Sequence, residues 1–463
     1  MHIHILGICG TFMGGIAQIA ASLGHKVSGS DVNVYPPMSD QLESAGINIL
    51  NGYCVEHLQP SPDLVLIGNA MSRGNKAVEY VLAEGIHYDS GPGWLHDAVL
   101  RDKKVIAVAG THGKTTTTSL ITWILEFNGK QPGYLIGGRA NNFELTAKLG
   151  DGDIFVIEAD EYDTAFFDKR SKFLHYQPNV FLLNNLEFDH ADIFDDISDI
   201  QRQFHHAVRT VPSSGLIIAN HDSEYIQETL EMGCWTPITS FGIGLGANWQ
   251  LQDGLANTNP DDGERYEIHT NDEVRCIFTP PIAGQHNALN TLAALIAAQA
   301  VGVTPEQSLN ALATFKGVKR RLDNYATVEG IALYDDFAHH PSAIIATLAA
   351  LQKIKRHGKI HCVLEPRSNT MQNGTHEKTL ELAFEGADSV FLFKPSGLQF
   401  DLENTAKMIG ERCQISDDIN VLVNKITGMV RPGDHIVVMS NGAFEGIHAK
   451  LERALEKIHL SPK

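Results

Sequence analysis

The 463-residue chain lacks paired cysteines, an excess of basic charge and long apolar runs. Its cysteines are Cys9, Cys54, Cys234, Cys276, Cys362 and Cys413, and the closest two stand 42 residues apart. That spacing excludes a CxxC-type metal or redox pair. Lysine and arginine number 36 against 55 aspartates and glutamates, a formal charge of −19. So acidic a chain does not bind nucleic acid through a broad basic face. An anionic ligand must be met locally, by backbone N–H groups, a few cations or a metal. The longest apolar stretch, around Leu292–Val303, is too short and too alanine-rich to span a bilayer. The opening MHIHILGICG reads as a short strand, not a signal peptide. These absences predict a reducing, cytoplasmic setting without a membrane partner. The oligomeric state stays open between monomer and weak dimer.

What is present is α/β patterning. At about 150 residues per domain, the length suggests roughly three domains. Apolar runs of strand length alternate with helical patterns, which predicts mainly parallel sheets. One series has strands at Ile3–Leu6, Lys26–Gly29 and Leu64–Gly68, and fades at the charged joint Leu100–Lys104. A second opens with Val105–Ala109 and continues through Ile154–Ile157 and Val180–Leu183. Residues 240–280 read as an antiparallel patch, with a turn at Asn259–Gly263. Thr304-Pro305-Glu306-Gln307 predicts a capped helix start. The third series has strands at Ile331–Tyr334, Ile360–Leu364, Val390–Phe393 and His435–Met439.

The strongest local signal is Val105-Ile-Ala-Val-Ala-Gly110-Thr-His-Gly113-Lys114-Thr115-Thr116. A strand, a glycine loop and a helix start are the parts a phosphate needs. Glycines turn N–H groups inward, and the helix terminus adds its dipole. Lys114 offers charge to phosphates and Thr115 a hydroxyl to Mg²⁺. The strict phosphate-loop pattern places glycine where Val108 stands, so a plain strand–helix turn is the alternative. The loop Gly7–Gly15 is weaker, because Cys9 and Phe12 interrupt the dinucleotide pattern. Asp31, 24 residues after Gly7, stands where an acidic residue meets a ribose. A dinucleotide site, another nucleotide diphosphate site and a structural turn all stay open there.

Acidic groups bunch at two strand ends, read as adjacent: Glu158, Asp160, Glu161 and Asp163, then Glu187, Asp189 and His190. Beside a phosphate loop such groups suit hard cations. A solvated rim is the alternative. Asn287 and Asn290 share a helix face, either capping it or gripping an adenine. Asp335, Asp336, His339 and His340 mix zinc-type ligands, but neighbours in sequence seldom face one ion, and Pro341 fits a helix start better.

Taken together, Gly110–Thr116, Glu158–Glu161, Asp189-His190, His286–Asn290, Arg320-Arg321 and Asp335–Pro341 resemble the Mur ligase family of ATP-dependent amide-forming enzymes of peptidoglycan metabolism. The resemblance covers the whole chain. It implies an N-terminal Rossmann-like domain binding UDP-N-acetylmuramate (1–103), a central P-loop ATPase domain (104–319) and a C-terminal Rossmann-like domain (320–463). ATP would convert the lactyl carboxylate of the UDP-sugar to an acyl phosphate, which an amine then attacks. Gly7–Gly15, Asn33–Pro37, Phe166–Lys172, Leu364–Met371 and Met439–Gly442 resemble the branch whose amine is the murein tripeptide L-alanyl-γ-D-glutamyl-meso-diaminopimelate. The sibling branch uses L-alanine. A P-loop switch or transport NTPase is the alternative of another class, and it leaves the N-terminal loop unexplained.

The resemblance also implies roles. Gly110, Thr111, His112, Gly113, Lys114, Thr115 and Thr116 would hold ATP, with Asn287 and Asn290 at the adenine. Arg321 and Asp336 would close over it. Thr115 would ligate one Mg²⁺, and Glu158 with His190 a second. Lys114, Glu158, His190 and Asp336 form the implied catalytic set. Gly7, Gly10, Thr11, Gly14, Gly15, Ser30, Asp31 and Asn69 would bind the UDP-sugar. Some family members use a carbamylated lysine after the metal histidine, but no lysine lies between Lys172 and Lys316 here. A tripeptide carries several carboxylates, so this acidic chain needs a local cation for it. Arg367, with Ser368 and Asn369, is the candidate, and a surface pair with Glu365 the alternative.

Overall fold

The computed structural model describes residues 1–35, 38–191, 193–254, 264–270, 273–355 and 357–460. The Asn259–Gly263 turn and the Pro36-Pro37 end of one resembling stretch lie outside them.

Three α/β units follow one another. In the first, five parallel strands run in the order Asn48–Asn51, Lys26–Asp31, His2–Leu6, Leu64–Ile67, Tyr88–Ser90. Among the described residues the central sheet has ten strands. Its middle is Val180–Leu183, Lys104–Ala109 and Ile154–Ala159, all parallel. The expected antiparallel patch is there: Trp249–Asp253, Tyr266–Thr270 and Glu273–Phe278 pair antiparallel. It continues the sheet through a parallel step at Phe241 and Gly242. In the third unit, five parallel strands follow one antiparallel edge, Asp323–Val328. The edge strands Asn48–Asn51, Asp323–Val328 and Cys413–Ser416 have no fully apolar run, which is why apolar patterning passes over them.

Helices start where local chemistry dictates. The Thr304 hydroxyl accepts from Gln307 N at 3.2 Å and the Gln307 side chain accepts from Thr304 N at 2.9 Å, the expected capping box. Pro341 opens the helix Pro341–Ile354, with His340 at its cap.

The packing differs at the two seams. One apolar cluster contains Ile5, Ile16 and Ile19 of the first unit together with Leu135, Phe155 and Ile157 of the second. Gly15 permits it, since a Cβ there would stand 3.0 Å from Ala147 Cβ. The third unit keeps its own two clusters, which hold no residue of the central unit among those described.

Candidate active site

The phosphate-type loop sits at the C-terminal end of Lys104–Ala109, immediately before the helix Lys114–Phe127. Gly113 adopts φ 81°, and a Cβ on it would meet Asn184 Nδ2 at 2.4 Å. A Cβ on Gly110 would crowd the backbone of Asn185 at 2.9 Å. Both glycines are therefore sterically required. Asn184 and Asn185 donate to the His112 carbonyl at 3.1 and 3.0 Å, while Asn185 Oδ1 accepts from His112 N at 2.7 Å.

Sheet order puts the acidic strand ends on either side of this loop, not beside each other. Lys114 Nζ donates to Gly110 O at 2.7 Å and pairs with Glu161 at 3.4 Å and Asp160 at 3.7 Å. Burial disfavours its ammonium, but Glu161, Asp160 and Glu158 together outweigh that and hold its pKa above the ordinary lysine value. Burial pushes Glu158 up to about 7, helped by the charge of Asp160 and opposed by Thr115, Lys114 and Arg321. Glu161 is also buried, yet Lys114 and His190 bring it down to about 2. His190 gives one ring nitrogen to Glu161 at 3.1 Å and the other to Tyr162 at 3.0 Å. Burial opposes its proton and Glu161 favours it, so its pKa ends above the ordinary histidine value.

The donor set fits a hard cation at Thr115 and Glu158. Glu158 Oε1 is buried and has no hydrogen-bond partner. Gly137 opposite leaves it room, since a Cβ there would stand 2.4 Å from Glu158 Oε2. His190, in this arrangement, is spent on Glu161 and Tyr162.

Other expected residues fall as follows. Asn287 and Asn290 are buried and bonded to each other at 3.2 Å, and Asn290 accepts from Asn184 at 2.7 Å. They brace the loop from behind, with both amides engaged inside the protein. Arg321 reaches the Thr115 hydroxyl at 3.4 Å and stacks over Phe337. Asp336 accepts from Leu322 N at 2.6 Å and Ala338 N at 2.8 Å, holding the turn that carries Arg321. In the first unit, Asp31 accepts from Cys9 N and Asn33 N, both at 2.9 Å, so its carboxylate braces the glycine loop. Gly14 lies under Met38 and Gly15 against the central unit. Thr11 and Asn69 are exposed at the rim of that loop region. Ser30 lies beneath it, fully buried. Arg367 is half-exposed and 4.0 Å from Glu365, a loose pair that leaves its guanidinium accessible. The Ser368 hydroxyl caps the helix Asn369–Gln372.

Sequence reading passed over Glu161 as the main partner of Lys114 and over Asn184 and Asn185 as its scaffold. It also missed Thr370, which donates to Asp189 at 2.7 Å from the third unit. Lys172 is buried between the rings of Phe12 and Tyr162, 5.1 and 5.6 Å from their centroids. Burial holds its pKa below the ordinary lysine value despite Asp160 and Glu161 nearby. Its only sequence signal was the stretch Phe166–Lys172.

Family models match in register with these units: Mur ligase family, catalytic domain, over 2–103; Mur ligase middle domain over 108–298; and Mur ligase, glutamate ligase domain, over 320–442. The chain belongs to the Mur ligase family. It is 50% identical over 460 residues to a UDP-N-acetylmuramate–L-alanyl-γ-D-glutamyl-meso-2,6-diaminoheptandioate ligase of Haemophilus influenzae, covering 99% of both chains. The Escherichia coli ligase of the same name is 51% identical, again over 99% of each chain. A solved murein peptide ligase from Psychrobacter arcticus is 43% identical, with a TM-score of 0.74 over 98% of this chain and 99% of that one. A UDP-N-acetylmuramate–L-alanine ligase of Nitrosomonas europaea stands further off, at 31% over 96% of this chain and 95% of its own.

Proposed function

We infer that the chain is an ATP-dependent ligase joining UDP-N-acetylmuramate to L-alanyl-γ-D-glutamyl-meso-diaminopimelate, a step of murein recycling. The carrying observation is identity of about half along the full length of ligases with that activity, against 31% for the L-alanine ligase. The absence, among the described residues, of any helix long and apolar enough to cross a membrane suits a cytoplasmic enzyme.

A carboxylate attacks a phosphate only when anion–anion repulsion is offset. Lys114, held charged by Glu161, would bear on the transferring phosphoryl group. Thr115 and Glu158 would hold Mg²⁺, which supplies further positive charge to the phosphates. His190 would join a second ion by exchanging Glu161 for it. Gly110–Thr116 would cradle ATP, with Asn290 bordering it through Gly113 and Asn287 behind Asn290. Arg321 would close on the nucleotide from the third unit, positioned by Asp336. Gly7, Gly10, Thr11 and Asn69 would face the UDP-sugar, with Ser30, Asp31, Gly14 and Gly15 shaping that loop from beneath and beside it. We place the domain limits at 103/104 and 319/320. Closure of the third unit keeps water from the acyl phosphate.

Arg367, with Asn369 nearby in sequence and Ser368 fixing the helix start, would read the peptide's carboxylates. Amide formation with tripeptide and with L-alanine, each substrate varied in turn, tests both points. The tripeptide is the efficient amine. Arg367→Ala raises the KM for tripeptide by an interaction of roughly 1.5–3 kcal/mol, with the KM for ATP and UDP-N-acetylmuramate unchanged. Preference for L-alanine overturns the substrate assignment. Equal losses for all three substrates reject Arg367 as the reader.

A further inference from the structure

A group of side chains that shares only His112 with the implied ATP cradle bridges the second and third units. His112 lies in the phosphate loop, Glu187 follows the strand Val180–Leu183, and His340 caps the helix Pro341–Ile354. One ligand atom from each lies within 4.8 Å of the other two. His112 Nε2 is 3.4 Å from Glu187 Oε2, and His340 Nδ1 is 3.2 Å from the same oxygen. Bonds of about 2.0–2.1 Å to a tetrahedral ion put its ligand atoms roughly 3.3–3.4 Å apart. The two separations to Glu187 lie close to that value.

We propose that His112, Glu187 and His340 form a binding site for a divalent transition metal of the zinc type, clamping the third unit onto the phosphate loop.

The chemistry of the group supports it. Two imidazoles and a carboxylate suit borderline-soft ions, whereas Mg²⁺ prefers oxygen. Metal ligation needs neutral imidazole and ionised carboxylate. Burial, with His112 and His376 nearby, pushes His340 down to about 3. Glu187 is brought down to about 2, since His112, Ser342 and His340 outweigh its burial. The Ser342 hydroxyl lies 2.6 Å from Glu187 Oε2, 2.7 Å from His340 Nδ1 and 3.3 Å from His112 Nε2. The Ser342 hydroxyl thus touches all three groups, and its N–H donates to His340 Nδ1 at 3.3 Å; an ion would displace these contacts or keep the hydroxyl as a further ligand. Independently, a third imidazole crowds in. The His376 ring packs on His340 with centroids 4.3 Å apart, and its Nε2 is buried without a hydrogen-bond partner. Three imidazoles thus gather about Glu187, with the charge of Asp189 also acting on His340 and His376.

Titration of the full-length, ligand-free protein with Co²⁺ and then Zn²⁺ tests this. One equivalent of Co²⁺ gives the visible bands of a four-coordinate ion, without the near-ultraviolet thiolate band a cysteine site adds. Zn²⁺ displaces it, and an equal concentration of Mg²⁺ does not. By calorimetry, His340→Gln and Glu187→Gln each weaken Zn²⁺ binding at least ~100-fold. X-ray absorption at the zinc edge of the unaltered protein shows imidazole and no sulfur, so the test survives a variant that fails to fold. None of these readouts depends on ligase activity. A thiolate band, sulfur at the edge, absence of stoichiometric binding, or affinity indifferent to both substitutions overturns the proposal.

Discussion

The two seams of this molecule are built from opposite materials. Between the first and central units the seam is apolar and continuous, with Gly15 seated against Ala147 and Leu135 inside one shared core. Between the central and third units it is polar: Arg321 to Thr115, Ser342 to Glu187, Thr370 to Asp189, and Lys353 to Glu264 at 2.6 Å. Apolar area removed from water is worth roughly 25 cal/mol per Å², whatever its exact register. Such a seam holds without ligand. Hydrogen bonds and ion pairs exchange with water at little net gain, so a seam made of them opens and closes cheaply. The first arrangement fixes the N-terminal unit to the central sheet, and the second leaves the third unit held by contacts weak enough for a bound ligand to outweigh.

The largest expected effect lies where the seams meet the chemistry. Lys114→Ala should lower kcat by ~10³-fold or more. An exposed loop position would leave stability untouched, but Lys114 is paired with buried Glu161, so melting falls as well. Adding Glu161→Gln should restore the melting temperature and not the activity. Calorimetry and single-turnover assays separate the two. Wild-type turnover in Lys114→Ala would remove the phosphate-loop assignment.

Next comes Glu158. Its folded value of about 7 stands above the ordinary 4.5, so the folded ligand-free protein keeps a proton the unfolded chain has released. Stability therefore falls as pH rises from 4.5 to about 7 and is flat above. Glu158→Gln should stabilise the ligand-free protein at pH 8 by up to ~3 kcal/mol, with no gain at pH 4. It should also blunt the Mg²⁺ response of turnover. Denaturant unfolding at both pH values decides, and a pH-independent difference counts against it.

The apolar seam is challenged by Gly15→Leu, which overpacks it and should cost ~1–3 kcal/mol. Differential scanning calorimetry should show a lower melting temperature with the KM for tripeptide unaffected. An unchanged melting temperature breaks the picture of a shared core. The polar seam is challenged most gently by Thr370→Val, which removes one bond to Asp189 and should cost ~1 kcal/mol. Small-angle scattering should show a more open ligand-free molecule and kinetics a few-fold higher KM for tripeptide. An effect on stability as large as that of Gly15→Leu would erase the difference between the seams.

Much of this was legible from the chain. Fully buried strands read as apolar runs because a parallel sheet hides both faces, so Val105–Ala109, Val180–Leu183 and Ile360–Leu364 needed no fold to be seen. The glycine loop was legible because strand, Gly-Lys-Thr and helix are contiguous. Edge strands such as Asp323–Val328 were not, because half-exposed pairs tolerate polar residues. The partners of the site were also hidden. Asn184 and Asn290 are 106 residues apart, and Thr370 and Asp189 are 181 apart.

The sequence by itself determined the kind of chemistry: local backbone geometry, helix caps and strand patterning are short-range, and each motif carries its own. Only the tertiary structure decided which charges offset one another. Sheet order set Lys104–Ala109 between the two acidic strand ends, giving Lys114 to Glu161 and leaving Glu158 buried beside Thr115. It turned Asp31, Asn290 and Asp336 into braces by bringing backbone and amide donors to them from elsewhere in the chain. Electrostatics and desolvation depend on distance and burial in three dimensions, and no spacing along the chain encodes either.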